Sequence, residues 1–105
     1  MNQDEVSFRD AVYELVSRIP PGHVMPYGDI AAYCGRAHAA RIVGGLAHFG
    51  PSELPWHRVV NRLGDCATGY YGGKVGHQVA LEQEGIVVKD FRIVQFEEVR
   101  WRPHP

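Results

Sequence analysis

A mainly helical domain with a small β element is the fold class predicted by this 105-residue chain. Apolar residues recur at helical spacing in several separate stretches, β-branched runs are short and few, and proline and glycine cut the chain into short pieces. The length suits one domain, 1–105, built round a single core, and no repeat, low-complexity run or linker interrupts it.

Each element follows from local chemistry. Phe8, Val12, Leu15 and Val16 lie at i, i+4, i+7 and i+8, the stripe of an amphipathic helix, with Ser7 read as its N-cap. Pro20-Pro21-Gly22 cannot continue that helix, so it stops near Ile19. Val24-Met25 is extended, because the following Pro26 disfavours helical backbone before it. A second helix starts at Tyr27, carries Asp29 in its first turn where a carboxylate suits the helix dipole, and runs through Ile30, Ala31, Ala32 and Tyr33 to a left-handed stop at Gly35. A third covers 38–49 and contains Ala39, Ala40, Ile42, Val43, Leu46 and Ala47. Two such helices joined by a glycine-containing turn make a helix-turn-helix pattern.

Gly44-Gly45 is the costly feature of the third helix, since each glycine disfavours helix by about 1 kcal/mol relative to alanine. Close packing against another helix would justify it. So would a small-residue face of Ala39, Ala40, Gly44 and Gly45 that lets the helix approach a ligand, and the residues alone leave both readings open. Residues 51–55 form a loop, Arg58-Val59-Val60 a short strand, Leu63-Gly64-Asp65 a turn, and 69–73 a second loop rich in glycine and tyrosine. A final helix spans 74–84 with Val75, Val79 and Leu81 as apolar members and Gly85 as its stop. Strand-like stretches follow at Ile86-Val87-Val88 and Ile93-Val94-Gln95-Phe96, and the tail around Trp101 reads as a packed terminus.

Composition narrows the function classes. No apolar run approaches the roughly 20 residues of a membrane helix, and the acidic, mixed N-terminus lacks the pattern of a signal peptide, so a cytoplasmic protein is expected. Two cysteines, Cys34 and Cys66, are too few for a disulfide framework, and the six histidines show no compact ligand spacing; neither a metal nor another cofactor is expected. Net charge is −1, which speaks against a protein that coats nucleic acid indiscriminately. Residues 1–34, 35–77 and 78–105 carry −3, +3 and −1, so the middle of the chain, with four of the histidines, is the part suited to an anionic partner.

Within that middle lies PWHRVV, residues 55–60, where a tryptophan stands between a proline and a His-Arg pair. YGDIAAYCG, AARIVGG, PWHRVV, GYYGG and LEQEG occur in order, with nearly the spacing found in the DNA-binding domain of O6-alkylguanine-DNA alkyltransferases. The chain resembles that family over about residues 6–88, and its PWHRV, where the transferases have PCHRV, is similar to that of the alkyltransferase-like proteins. The resemblance implies the winged helix-turn-helix-like fold of the alkyltransferase C-terminal domain. It also implies that His57 and Glu84 match the groups that activate the transferase cysteine, while Trp56 has no nucleophilic atom and its indole N–H only donates. No catalytic residue is therefore expected, and neither Cys34 nor Cys66 matches the nucleophile.

On the same resemblance, Arg41 matches the arginine finger that fills the base stack and Tyr27 the tyrosine that turns the phosphate as a nucleotide leaves. The small face of Ala39, Ala40, Gly44 and Gly45 would suit a minor groove only about 6 Å wide. Trp56, His57, Arg58, Val59, Tyr70, Tyr71 and Glu84 are the expected lesion pocket, with Trp56 as a flat wall against the alkylated guanine. Departures are His77, where the transferases have lysine, Gly50-Pro51 in place of Asn-Pro, and a loop to Pro55 shorter by about two residues. The resemblance thus implies a monomeric, non-enzymatic sensor of O6-alkylguanine in double-stranded DNA that shields the lesion or passes it to nucleotide excision repair, through a factor such as UvrA. A residual alkyltransferase and a small helix-turn-helix transcription regulator are the alternatives; the second is disfavoured because alanine and glycine are poor readers of base edges.

Overall fold

A computed structural model of the chain describes residues 2–103. Helix α1 (Gln3–Ser17) buries the expected stripe of Phe8, Val12, Leu15 and Val16. Its N-cap is Asn2, whose side chain accepts the Glu5 N–H at 2.8 Å, and Ser7 lies inside the helix. The helix outruns its apolar stripe because one cap and two acidic residues on the positive end of the dipole, Asp4 and Glu5, suffice for an exposed first turn.

Strand β1 (Met25–Pro26) pairs in parallel with β2 (Val59–Val60), Met25 opposite Val59 and Pro26 opposite Val60. The crossover between them is the helix pair α2 (Tyr27–Tyr33) and α3 (Ala40–Phe49). Helix α2 ends as read from sequence: Gly35 has φ +88°, its N–H bonds to the Ala32 carbonyl, and the Arg36 N–H reaches back to Ala31. That reciprocal pair is the Schellman arrangement, which needs a residue free to adopt left-handed backbone. Helix α3 starts at Ala40, and Gly44 and Gly45 lie within it with nothing inside 4 Å of where a Cβ would stand. Packing against another helix of this chain therefore does not explain them.

Helix α4 (Gly73–Glu82) stops in a second Schellman arrangement, with Gly85 at φ +82° and the Ile86 N–H on the Leu81 carbonyl. It buries His77 and Leu81, one turn apart, while Val75 and Val79 are 62% and 46% exposed. The expected apolar face of Val75 and Val79 is thus corrected. The inward side of α4 instead carries His77, which bonds to the Ala67 N–H and the His57 carbonyl.

A small antiparallel ribbon, β3 (Val88–Lys89) with β4 (Arg92–Ile93), turns through Asp90 and Phe91, and a single helical turn α5 (Phe96–Val99) follows. The strand expected over 93–96 is confined to its first residue, since the chain must turn there to bring Arg100 beside Val24. Val24 donates its N–H to Val99 and accepts from the Trp101 N–H at 2.7 Å.

Alternation along the strands divides the core. Met25 and Val59 enter one cluster with Phe8, Val12, Val16, Ile30 and Val43, and Trp101 packs on its margin. Val24 and Val60 enter a second with Cys66, Leu81, Ile86 and Ile93. The short parallel ribbon is therefore the partition between the helical half and the C-terminal half. Among the described residues no helix is long and apolar enough to cross a membrane.

The tail is tied to α2 by Arg100, whose Nε and Nη2 both lie 2.8 Å from the Asp29 carboxylate. Each side chain is about a quarter exposed, which moderates the pair. Arg100→Ala is expected to lower the unfolding free energy by about 1–2 kcal/mol in urea titrations; an unchanged midpoint would mean that the tail is held by its other contacts, the Val24 backbone bonds and the Tyr33 hydroxyl on the Pro103 carbonyl.

Candidate nucleic-acid interface

Pairing of β1 with β2 does more than partition the core. Tyr27 directly follows β1 and Trp56 lies just before β2, so the register Pro26 to Val60 brings both to the mouth of one cleft. The cleft encloses about 1030 Å³. Gly44, Ala47 and His48 of α3 form one side, residues 65–70 the floor, and the β3–β4 hairpin the far wall.

Trp56 opens a single 3-10 turn, Trp56–Arg58, and is held from three directions. Its indole Nε1–H donates to the Pro51 carbonyl at 2.8 Å. Its ring meets Tyr13 of α1 edge-on, with centroids 5.9 Å apart. Gly50 supplies the third constraint: a Cβ there would lie 2.6 Å from the indole Cζ2 and equally close to the Leu46 carbonyl. Bulk at 56 and absence of bulk at 50 are thus two parts of one fit. With its only polar hydrogen engaged, the indole offers the cleft ring surface alone.

Behind Trp56 the side chains of His57 and Arg58 turn away from the cleft toward Glu84, which follows α4 and precedes Gly85. The Glu84 carboxylate accepts from His57 Nε2 at 2.6 Å, from Arg58 Nε and Nη2 at 3.0 and 2.7 Å, and from the Gly22 N–H at 3.0 Å. Arg58 also donates to the Ile19 carbonyl at 2.9 Å. Burial alone would raise this carboxyl, but the Arg58 guanidinium, the Gly22 amide and the His57 ring together hold it down at about 2. His57, Arg58 and Glu84 therefore do not line the cleft; they join the end of α1, the 3-10 turn and the end of α4 behind its wall.

The floor is organised by His77, 1% exposed. Its Nδ1 accepts the Ala67 N–H at 2.8 Å and its Nε2 lies 2.8 Å from the His57 carbonyl, so the ring is the neutral Nε2–H tautomer. Burial, and then the neighbouring His57 charge, press its pKa below the usual histidine range against the opposing bond to the His57 carbonyl. Tyr70 stacks on it with centroids 4.8 Å apart and planes 20° apart. Cys66 also lines the floor, but burial and the charges of Asp65 and Glu82 push its thiol up, away from the reactive thiolate; Lys74 opposes them. Cys34 lies at the end of α2, also raised by burial. Among the described residues no cluster of His, Cys, Asp and Glu could hold a metal.

Of the remaining residues singled out in the sequence, Val59 lines the cleft, while Tyr71 is 93% exposed and points away from it. Arg41 is exposed in the first turn of α3, and no ion pair engages it among the described residues. Ala39 is 7% exposed and packs into the helical core, so the open small-residue surface of α3 is made by Ala40, Gly44 and Gly45. Sequence reasoning missed Asn61, Asp65, Lys74 and the hairpin residues 89–94 as cleft walls. They arrive through contacts distant in sequence, such as the Cys66 N–H on the Phe91 carbonyl and Arg92 on Asp65, which no local spacing signals.

The lowered Glu84 pKa has a definite pH consequence. Its stabilising contribution is whole above the ordinary value of 4.5 and is lost as pH falls from there toward about 2. Glu84→Gln is expected to lower stability at neutral pH by about 1.5–3 kcal/mol and to flatten the acid limb of a melting-temperature profile. An acid limb identical to that of the parent chain would remove Glu84 from that account.

Comparison with known proteins places this geometry in context. Residues 7–86 match the family described as 6-O-methylguanine DNA methyltransferase, DNA binding domain. The chain is 40% identical over 102 residues to the DNA base-flipping protein of Escherichia coli, covering 94% of this chain and 78% of that one. It is 34% identical to alkyltransferase-like protein 1 of Schizosaccharomyces pombe, covering 98% of this chain and all of its relative. The crystal structure of that yeast's Atl1, in complex with damaged DNA containing O6-carboxymethylguanine, superposes with a TM-score of 0.83 at 34% identity over 98% of this chain and all of that one. A Mycobacterium tuberculosis O6-methylguanine methyltransferase gives 0.65 at 37% identity, over 73% of this chain and 47% of the enzyme. The β3–β4 hairpin, a wall of the cleft, lies beyond the family match. With a winged helix-turn-helix-like alkyltransferase fold and near full-length similarity to alkyltransferase-like and base-flipping proteins, the chain belongs to the 6-O-methylguanine DNA methyltransferase DNA-binding-domain family.

Proposed function

We propose that this chain is a non-enzymatic sensor of O6-alkylguanine in double-stranded DNA. The observation that carries the reading is Trp56: its indole N–H is engaged by Pro51 and the residue lines the cleft, in the PWHRV motif whose second position we equate with the transferase nucleophile. Such a surface can stack on or flank a base but can take no alkyl group from it. Relatives named for base flipping, and one crystallised on damaged DNA, support the same reading.

In this reading α3 lies in the minor groove, where Ala40, Gly44 and Gly45 permit close approach because no side chain intervenes. No side chain caps the N-terminus of α3, so its free N–H groups suit a phosphate. Arg41 enters the stack in place of the extruded nucleotide, a task for which a planar, permanently charged group is fitted. Tyr27 steers the backbone at the cleft mouth, and the base is held among Trp56, Val59 and Tyr70. His57, Arg58 and Glu84 act from behind as the frame. Because nothing is transferred, the complex persists, so its use is to shield or flag the lesion for a nucleotide excision repair factor such as UvrA. The sensor works as a monomer in the cytoplasm.

Affinity for matched duplexes containing guanine or O6-methylguanine, measured at one stated salt concentration, tests the reading, since phosphate contacts make both values salt-dependent. The lesion duplex is expected to bind at least about tenfold tighter; equal affinities would sink the proposal. Mass spectrometry after incubation should find no alkyl group on the protein, whereas an alkylated Cys66 would favour an enzyme. Arg41→Ala is expected to weaken lesion binding by roughly 1–3 kcal/mol with normal thermal unfolding; unchanged lesion affinity would remove Arg41 from the mechanism.

A further inference from the structure

His77 is the only buried charged-class side chain among the described residues. Burying an imidazole is costly unless both ring nitrogens are satisfied, and an apolar residue would fill the same space without that cost. Here both are satisfied, and by two different walls of the cleft. The Ala67 N–H belongs to the floor loop that leads to Tyr70, and the His57 carbonyl belongs to the 3-10 turn that begins with Trp56. The ring face is used as well, stacked beneath Tyr70. One side chain on α4 thus links the segments that carry two of the aromatic groups lining the cleft, Trp56 and Tyr70.

We infer that His77 is the positioning residue of the cleft, setting the gap into which a base fits by bonding to the Ala67 amide and the His57 carbonyl at once. This rests on the sensor reading. The transferases' lysine would not serve here, because an ammonium has donors only and cannot accept the Ala67 N–H. A glutamine side chain has one acceptor and one set of donors and meets both requirements. His57 faces His77 from the 3-10 turn, its own ring turned to Glu84, and Tyr70 from the loop; Asp65 and Cys66 precede the bonded amide. The bonding pattern requires a neutral ring.

The test compares the parent chain, His77→Gln and His77→Leu for affinity toward O6-methylguanine and unmodified duplexes, together with thermal unfolding. Glutamine is expected to keep lesion affinity within about threefold, while leucine loses roughly tenfold, the equivalent of about one buried hydrogen bond. Affinity for the unmodified duplex, set by the surface of α3, stays constant in both. Leucine binding the lesion as well as the parent chain does, or losing both duplexes equally, overturns the inference. If the leucine variant fails to fold, the glutamine rescue decides, supported by nitrogen-15 spectra of the parent chain at neutral pH. Those should show Nε2 protonated and Nδ1 bare at His77; the opposite tautomer or a charged ring overturns it. Should the parent chain bind both duplexes alike, the sensor reading fails and takes this inference with it, whereas intact discrimination with an indifferent position 77 fails the inference alone.

Discussion

The Glu84 carboxylate is the constraint on which the rest of the structure depends, because it gathers segments that no single element could hold together. Gly22 comes from the turn after α1, His57 and Arg58 from the 3-10 turn, and Glu84 itself from the end of α4. Arg58 extends the set to the Ile19 carbonyl. A carboxylate has acceptor capacity for several donors at once, and partial burial strengthens each bond while making an unpaired partner costly. The two core clusters meet along a ribbon only two residues long on each strand, which by itself could hardly fix their relation. The network behind the ribbon supplies what the ribbon lacks.

On that frame the cleft is built from paired requirements. Trp56 fits because Gly50 has no Cβ, and its indole hydrogen is satisfied because the preceding loop presents the Pro51 carbonyl. Tyr70 lies flat because His77 is beneath it, and His77 is tolerated in the core because Ala67 and the His57 carbonyl satisfy both nitrogens.

The charge distribution fits the same division of labour. Arg41 stands exposed on α3 one turn before Gly44 and Gly45, so the helix presents a long cation next to its small residues. Within the C-terminal half, by contrast, three arginines are engaged: Arg58 by Glu84, Arg92 by Asp65, Arg100 by Asp29 and Glu97. Paired arginines tie segments together, while Arg41 is left without an ion pair on the helix that carries the small-residue surface.

Much of this was legible in the residues alone. The stripe of α1, the left-handed stops at Gly35 and Gly85, the helix pair and the ordered motifs that identify the family depend on near neighbours, and short-range geometry is written in spacing. Where local signals misled, a tertiary requirement was responsible. Val75 and Val79 looked like core, but α4 buries Leu81 and His77, the latter bonded to the Ala67 amide and the His57 carbonyl. Ala39 looked like part of an open face until the helical core claimed it. The sequence by itself determined that position 56 has no nucleophile, because that is a matter of which atoms are present. Only the tertiary structure decided that the indole hydrogen is occupied, that Arg58 joins His57 on the Glu84 carboxylate, and that a hairpin from beyond the family match lines the cleft. Those facts rest on bonds between residues far apart in the chain, whose formation depends on the whole fold rather than on any local pattern.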